Sequence, residues 1–130
     1  MSTIKVDSIG KTSGKTQDTM AGMAKARAQY MGLTNTLQSG SLNHSSVTDN
    51  ALGDFTHVFS NNFSDIKYSM FGTNHYLPST TGTMHNYGPQ DTTERATTEI
   101  RVESHYVSSG ANRTNHDFDV NDLVCFGDLA

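Results

Sequence analysis

The chain reads as all-β: an antiparallel β-sandwich preceded by a short extended N-terminal anchoring segment. Three observations predict this. Apolar and polar residues alternate through 45–70 and again through 95–109, the period of strands with one buried face. Clusters of Asn, Asp, Ser and Gly punctuate the alternating runs, as turns between short strands require. No segment carries a convincing helical period.

At 130 residues the chain has the length of one domain. Its apolar fraction is only 34%, below the ~45–50% of ordinary domains. Ser, Thr and Asn make up the difference rather than charge, which favours short polar-faced strands over disorder. Such a chain is expected to complete its apolar burial by associating with copies of itself or with a partner.

The first segment, MSTIKVDSIG, alternates, with Ile4 and Val6 on one side. GKTSGKTQDT follows as a Gly- and Thr-rich connector. Residues 1–20 therefore read as anchoring segment and linker, and 21–130 as the sandwich head. A lone strand is marginal in water, so Ile4, Val6 and Ile9 are expected to dock on a neighbouring subunit or a different protein by adding to a sheet edge.

In MAGMAKARAQYM, residues 20–31, a helix would group Met20, Met23 and Ala24. A strand would alternate Ala24, Ala26, Ala28 and Tyr30 with Lys25, Arg27 and Gln29. The alternation is the cleaner pattern, and a strand is expected from about Ala24. Val47 opens the next stretch, and Asp49, Asn50 and Gly53 are expected at turn positions. Phe55, His57 and Phe59 then share a face, opposite Thr56, Val58 and Ser60. SNNFSD reads as a second turn, joining this strand to one carrying Tyr68 and Met70 in an antiparallel hairpin. Residues 73–93 hold both prolines and are long for a plain connection, so a functional loop or oligomer contact is expected there, exposing His75, Tyr76 and Tyr87. A strand with Ile100 and Val102 inward follows, with Glu99, Arg101 and Glu103 outward. The chain turns at GANRTNHD and closes on the strand DFDVNDLVCFGDLA.

Composition excludes several functions. The net charge of -4 lacks the basic stripe that phosphate backbones demand, so nucleic acid is not an expected partner. The single Cys125 supports neither a disulfide framework nor a thiolate zinc site, and its apolar neighbours suggest a buried small hydrophobe. No stretch approaches the ~20 apolar residues of a membrane helix. No secretory signal is recognisable, and synthesis inside a cell is expected.

Catalytic and metal signatures are not found. His44, His57, His75, His85, His105 and His116 show no ligand-like spacing. No G-x-S-x-G elbow occurs, and GKTSGKT lacks the spacing of a phosphate-binding loop. The carboxylate pairs Asp117/Asp119 and Asp49/Asp54 sit where turn capping accounts for them. The expectation is a protein that is not an enzyme and needs no cofactor.

One resemblance adds to this reading. STIKVDSIGKTSGKT, residues 2–16, resembles the N-termini of virion proteins of marine phages, cyanophages and their relatives. AKARAQY (24–30), NHSSVTDNALGDFTHVF (43–59), SDIKYSM (64–70) and the closing VCFGDLA resemble successive pieces of the tail-fibre-like proteins of those particles. In this chain Arg27 replaces a usual Trp, Leu52 a usual turn residue and His57 an inward Val. The resemblance implies a structural virion protein: a tail fibre or appendage subunit made in the host cytoplasm and docked through its N-terminal strand to a tail adaptor, nozzle or capsid protein. Its alternatives are a module that binds host surface glycans, or a capsid decoration. It also implies a homotrimer, for which the apolar, outward Val58 and Phe71 are the candidate interface residues.

Overall fold

The computed structural model describes residues 23–75, 84–88, 95–107 and 112–130, with backbone alone for 84–88. These residues form two antiparallel sheets packed as a sandwich. In chain order the strands are β1 Ala26–Met31, β2 Thr36–Leu37, β3 His44–Ala51, β4 Asp54–Phe59, β5 Ser69–His75, β6 Met84–Gly88, β7 Glu99–Val107, β8 Arg113–Asn115 and β9 Val120–Phe126. Sheet A runs β2-β1-β9-β5 and sheet B runs β3-β4-β7-β6, with β8 also on β7. Glu103 is the partner of both Asp54 and Gly88, so β4 and β6 flank opposite edges of β7. Residues 105–107 pair with both β6 and β8. β8 therefore continues the edge that β4 begins.

The core lies between the sheets and follows the alternation. Ala26, Ala28 and Tyr30 of β1, Phe55 and Phe59 of β4, Ile100 and Val102 of β7, and Leu123 and Cys125 of β9 are all buried. The strand reading of 24–30 holds against the helical one, because two-residue spacing puts the alanines and Tyr30 inward while Arg27 and Gln29 stay exposed. His57 is inward as well, fully buried between Phe55 and Phe59.

Three expectations are corrected. SNNFSD is not a hairpin turn: β4 belongs to sheet B and β5 to sheet A, so this segment crosses between the sheets. The crossing is held by Phe63, which is buried, stacks on Tyr68 at 4.4 Å and meets Phe59 edge-on at 4.9 Å. Its backbone pairs with the chain end, Ser64 N–H donating to Asp128 and Ala130 N–H to Asn62. Burying three aromatic rings at one end of the sandwich outweighs the local turn chemistry of the Asn and Ser residues.

The hairpin lies earlier, between β3 and β4, and it is tighter than expected. Asp49 and Asn50 are in β3, and only Leu52 and Gly53 turn the chain. Gly53 has φ +66, and a Cβ there would collide with the Ser104 carbonyl and lie 2.6 Å from His116 N. Glycine is required because this turn sits where β4 gives way to β8 against β7: Ser104 N–H donates to Gly53 O at 2.8 Å, and Gly53 N–H to Asp117 Oδ1 at 2.6 Å.

The third correction concerns 73–93. His75 ends β5, paired with Val120, and Tyr87 lies within β6, opposite Ser104. Backbone pairing takes 73–75 and 84–88 out of the expected loop, and 76–83 and 89–93 lie outside the described residues. Tyr76 lies outside the described residues, as do Ile4, Val6 and Ile9.

Candidate functional site: the outer face of sheet A

The register of sheet A aligns one row of side chains on its outer face. Phe71 of β5 is opposite Val124 of β9, Val124 is opposite Arg27 of β1, and Arg27 exchanges both backbone hydrogen bonds with Leu42. Phe126 stands two residues from Val124 on the same face. Phe71 is 65% exposed, Leu42 51% and Phe126 37%, with Val124 half-buried. The Arg27 guanidinium donates to the Gly40 carbonyl at 2.7 Å, which draws its charge toward the 38–42 turn and leaves its aliphatic stem in the row. Gln29, Asp122 and Thr73 make the next row, where Gln29 Nε2 donates to Asp122 Oδ1 at 3.1 Å. The face is thus an apolar band with a polar margin.

The outer face of sheet B is built differently. Thr48, Thr56 and Arg101 share one row, and Ser46, Val58 and Glu99 the next. Arg101 clamps Asp54 with Nε on Oδ1 at 2.8 Å and Nη2 on Oδ2, while Asn50 Nδ2 reaches both Asp54 and Thr56. These donors hold the Asp54 carboxyl below its ordinary pKa, the Arg101 hydrogen bond being the chief cause. Arg113 pairs with Glu103 further along β7.

Of the predicted interface residues, Phe71 and Val58 are both outward, but they lie on opposite faces of the sandwich. They cannot belong to one patch. Val58 is half-buried among hydroxyls and charge. Sequence reasoning missed Leu42, Val124 and Phe126. The signal available was Leu123–Phe126, four consecutive apolar residues, the mark of a strand with cover for both faces.

Several other chemistry-bearing groups are engaged within the fold. Cys125 is buried, its pKa pushed up to about 12 by burial, so the thiol stays protonated. Tyr30 donates its hydroxyl to Asn35 Oδ1 at 2.6 Å, and Asn35 Nδ2 donates to Asp49 at 2.9 Å. Burial, with Asp49 and Asp117 nearby, raises the phenol to about 12. Asp49, Asp54 and Asp117 are therefore long-range clamps rather than local turn caps. Between the sheets, Asn74 donates to Ser104 Oγ at 3.0 Å and Ser104 to Asn121 Oδ1 at 3.2 Å, while Asn121 Nδ2 reaches the Tyr30 and Phe118 carbonyls. Among the described residues, no group of three His, Cys, Asp or Glu is placed to hold a metal, and no helix is long and apolar enough to cross a membrane. Comparison with protein-family models, curated proteins and solved structures finds no match.

Proposed function

We propose that this chain is a structural, self-associating subunit: a β-sandwich head that packs against copies of itself through the outer face of sheet A. The observation carrying this reading is the exposed row Phe71, Val124, Arg27 and Leu42 on one sheet face, with Phe126 beside Val124 and the Arg27 guanidinium drawn off toward Gly40. Covering Phe71 alone is worth roughly 1.5–3 kcal/mol by area, and closed symmetry is the usual way identical subunits cover such a face. The resemblance of residues 2–16 and of the body segments to marine phage virion proteins supports placing the assembly in a particle, as a tail fibre or appendage subunit. It also supports a trimer over other orders.

In this reading Ile4 and Val6, two apart in an extended segment, enter a partner's sheet edge while Lys5 faces away. Deleting residues 1–18 tests the arrangement. The expected product is a folded, oligomeric head that no longer joins particles. A truncated protein that assembles onto particles normally would place the anchor elsewhere, and one that misfolds would place the segment in the head's own sheet.

A further inference from the structure

An open sheet ends in unpaired backbone groups, and in this head one long edge is left uncovered. On one side of the sandwich the edge strands β5 and β6 pack against each other. On the other, β2 has only two residues, while β3 ends sheet B with eight, all exposed except His44 and Val47. No described strand pairs with the far side of β3. Its N–H and C=O groups that point away from β4 are a template for one more strand.

Two irregularities trim this template. The register with β4 shifts between His44 and Ser46 and again between Asp49 and Ala51, which leaves Ser46–Asp49 as the straight run. Bulges of this kind restrict what an edge can accept. A run of four residues suits a short segment that turns two side chains inward. Val47 and Asp49 are opposite the buried His57 and Phe55, so they mark the core side of the edge, and Ser46 and Thr48 the outer side. Beneath the edge is the seam where β2 meets β3, tied by Asn35 Nδ2 on Asp49 Oδ2 at 2.9 Å. Leu37 and Val47 belong to its two sides, both half-buried and packed on the core. A strand added to β3 would lay its inward side chains over them.

Length and charge point to the occupant. Residues 33–51 carry Asp49 and no Lys or Arg, whereas the segment ahead of the head carries Lys5, Lys11 and Lys15 against Asp7 and Asp18. That segment joins the head where Lys25 N–H donates to the Cys125 carbonyl at 2.8 Å. Residues 10–22 span up to roughly 40 Å when extended, enough to reach a neighbouring subunit. We propose, resting on the reading of residues 1–20 as an anchoring segment, that residues 3–9 of one copy add to β3 of a second copy, with Ile4 and Val6 over Leu37 and Val47. Lys5 then faces outward with Ser46 and Thr48. Copies already held together through sheet A present this edge at high effective concentration. Donor and acceptor are different surfaces, so the contact is heterologous and links heads in succession, while sheet A packs them side by side.

Amide hydrogen exchange on the full chain, wild type against the double variant Ile4→Asp with Val6→Asp, tests this. The Ser46–Asp49 amides that point away from β4 are expected to exchange at least tenfold more slowly in the wild type at micromolar concentration, and the difference is expected to vanish on dilution. Equal exchange in the two proteins would overturn the proposal. A difference that survives dilution would also overturn it, by placing the segment on its own head. A second measurement mixes two differently tagged full chains, one with Lys5→Cys and the other with Ser46→Cys or Thr48→Cys. A disulfide joining the two tags is expected under mild oxidation from at least one pairing, and its absence from both would overturn the proposal. Particle joining by the double variant separates this inference from the reading beneath it. Lost joining with unaltered β3 exchange would keep the anchor and overturn β3 as its acceptor, whereas normal joining would overturn the anchor itself.

Discussion

The two outer faces of this sandwich are made from the same period-2 pattern, yet they are chemically opposite. On sheet B the outward positions of β3, β4 and β7 include Ser46, Thr48, Asn50, Thr56, Glu99 and Arg101, knitted by the Arg101–Asp54 clamp, with Val58 a single half-buried apolar residue among them. On sheet A the corresponding positions of β5 and β9 are Phe71, Val124 and Phe126, with Leu42 completing the row. A sheet face needs only an inward apolar set to fold. An outward apolar set is therefore a statement about something other than folding. The difference separates the face knitted by hydrogen bonds and charge from the face that leaves apolar side chains exposed.

Mutations sharpen that separation when ordered by size. The largest effect belongs to the shared interior. Phe55→Ala, at a fully buried site, should cost about 3–5 kcal/mol and lower the melting temperature whatever happens to either outer face. Next is Gly53→Ala, which places a Cβ at φ +66 against the Ser104 carbonyl and His116 N. About 2–4 kcal/mol is expected from left-handed strain and the clash together, visible as a lower denaturant midpoint. Arg101→Ala on the sheet B face should cost about 1–2 kcal/mol at pH 7, a figure kept small because the guanidinium is 51% exposed. Its folded-state partner Asp54 has a lowered pKa. The contribution is thus present above 3.8, fades as pH falls through the folded value, and leaves wild type and variant converging in strong acid. Urea titrations at pH 7 and pH 2.5 check the sign. The smallest effect on stability is expected from Phe71→Lys, within about 0.5 kcal/mol at a monomer's exposed site.

How far this contrast is legible in the sequence depends on the distance over which each feature is encoded. Alternation is local, so Ala26, Ala28 and Tyr30, Ile100 and Val102, and the Phe55–His57–Phe59 face can be assigned inward from their spacing alone. Strand partnership is not local. Nothing in SNNFSD records that Phe63 will be buried against Tyr68 and send the chain to the other sheet, and nothing in 73–93 records that residues 84–88 find β7. The same limit hides the site. Phe71 is recognisably outward, but Val124 and Leu42 are 53 and 29 residues away in sequence and share its row only through the register of β9 and β1. Val58, equally outward by its spacing, falls on the polar sheet for the same reason. The carboxylates follow suit: Asp117 serves Gly53 across 64 residues, a partnership no turn pattern can announce.

The proposed self-association uses the sheet A face and not the sheet B face. Sedimentation equilibrium on the wild type and on the matched pair Phe71→Lys and Val58→Lys, at micromolar concentration and neutral pH, tests it most directly. The expected result is a wild-type oligomer, most simply a trimer, that Val58→Lys retains and Phe71→Lys reduces to folded monomers. A monomeric wild type, or a Phe71→Lys protein that keeps its mass while Val58→Lys loses it, would rule out self-association through sheet A.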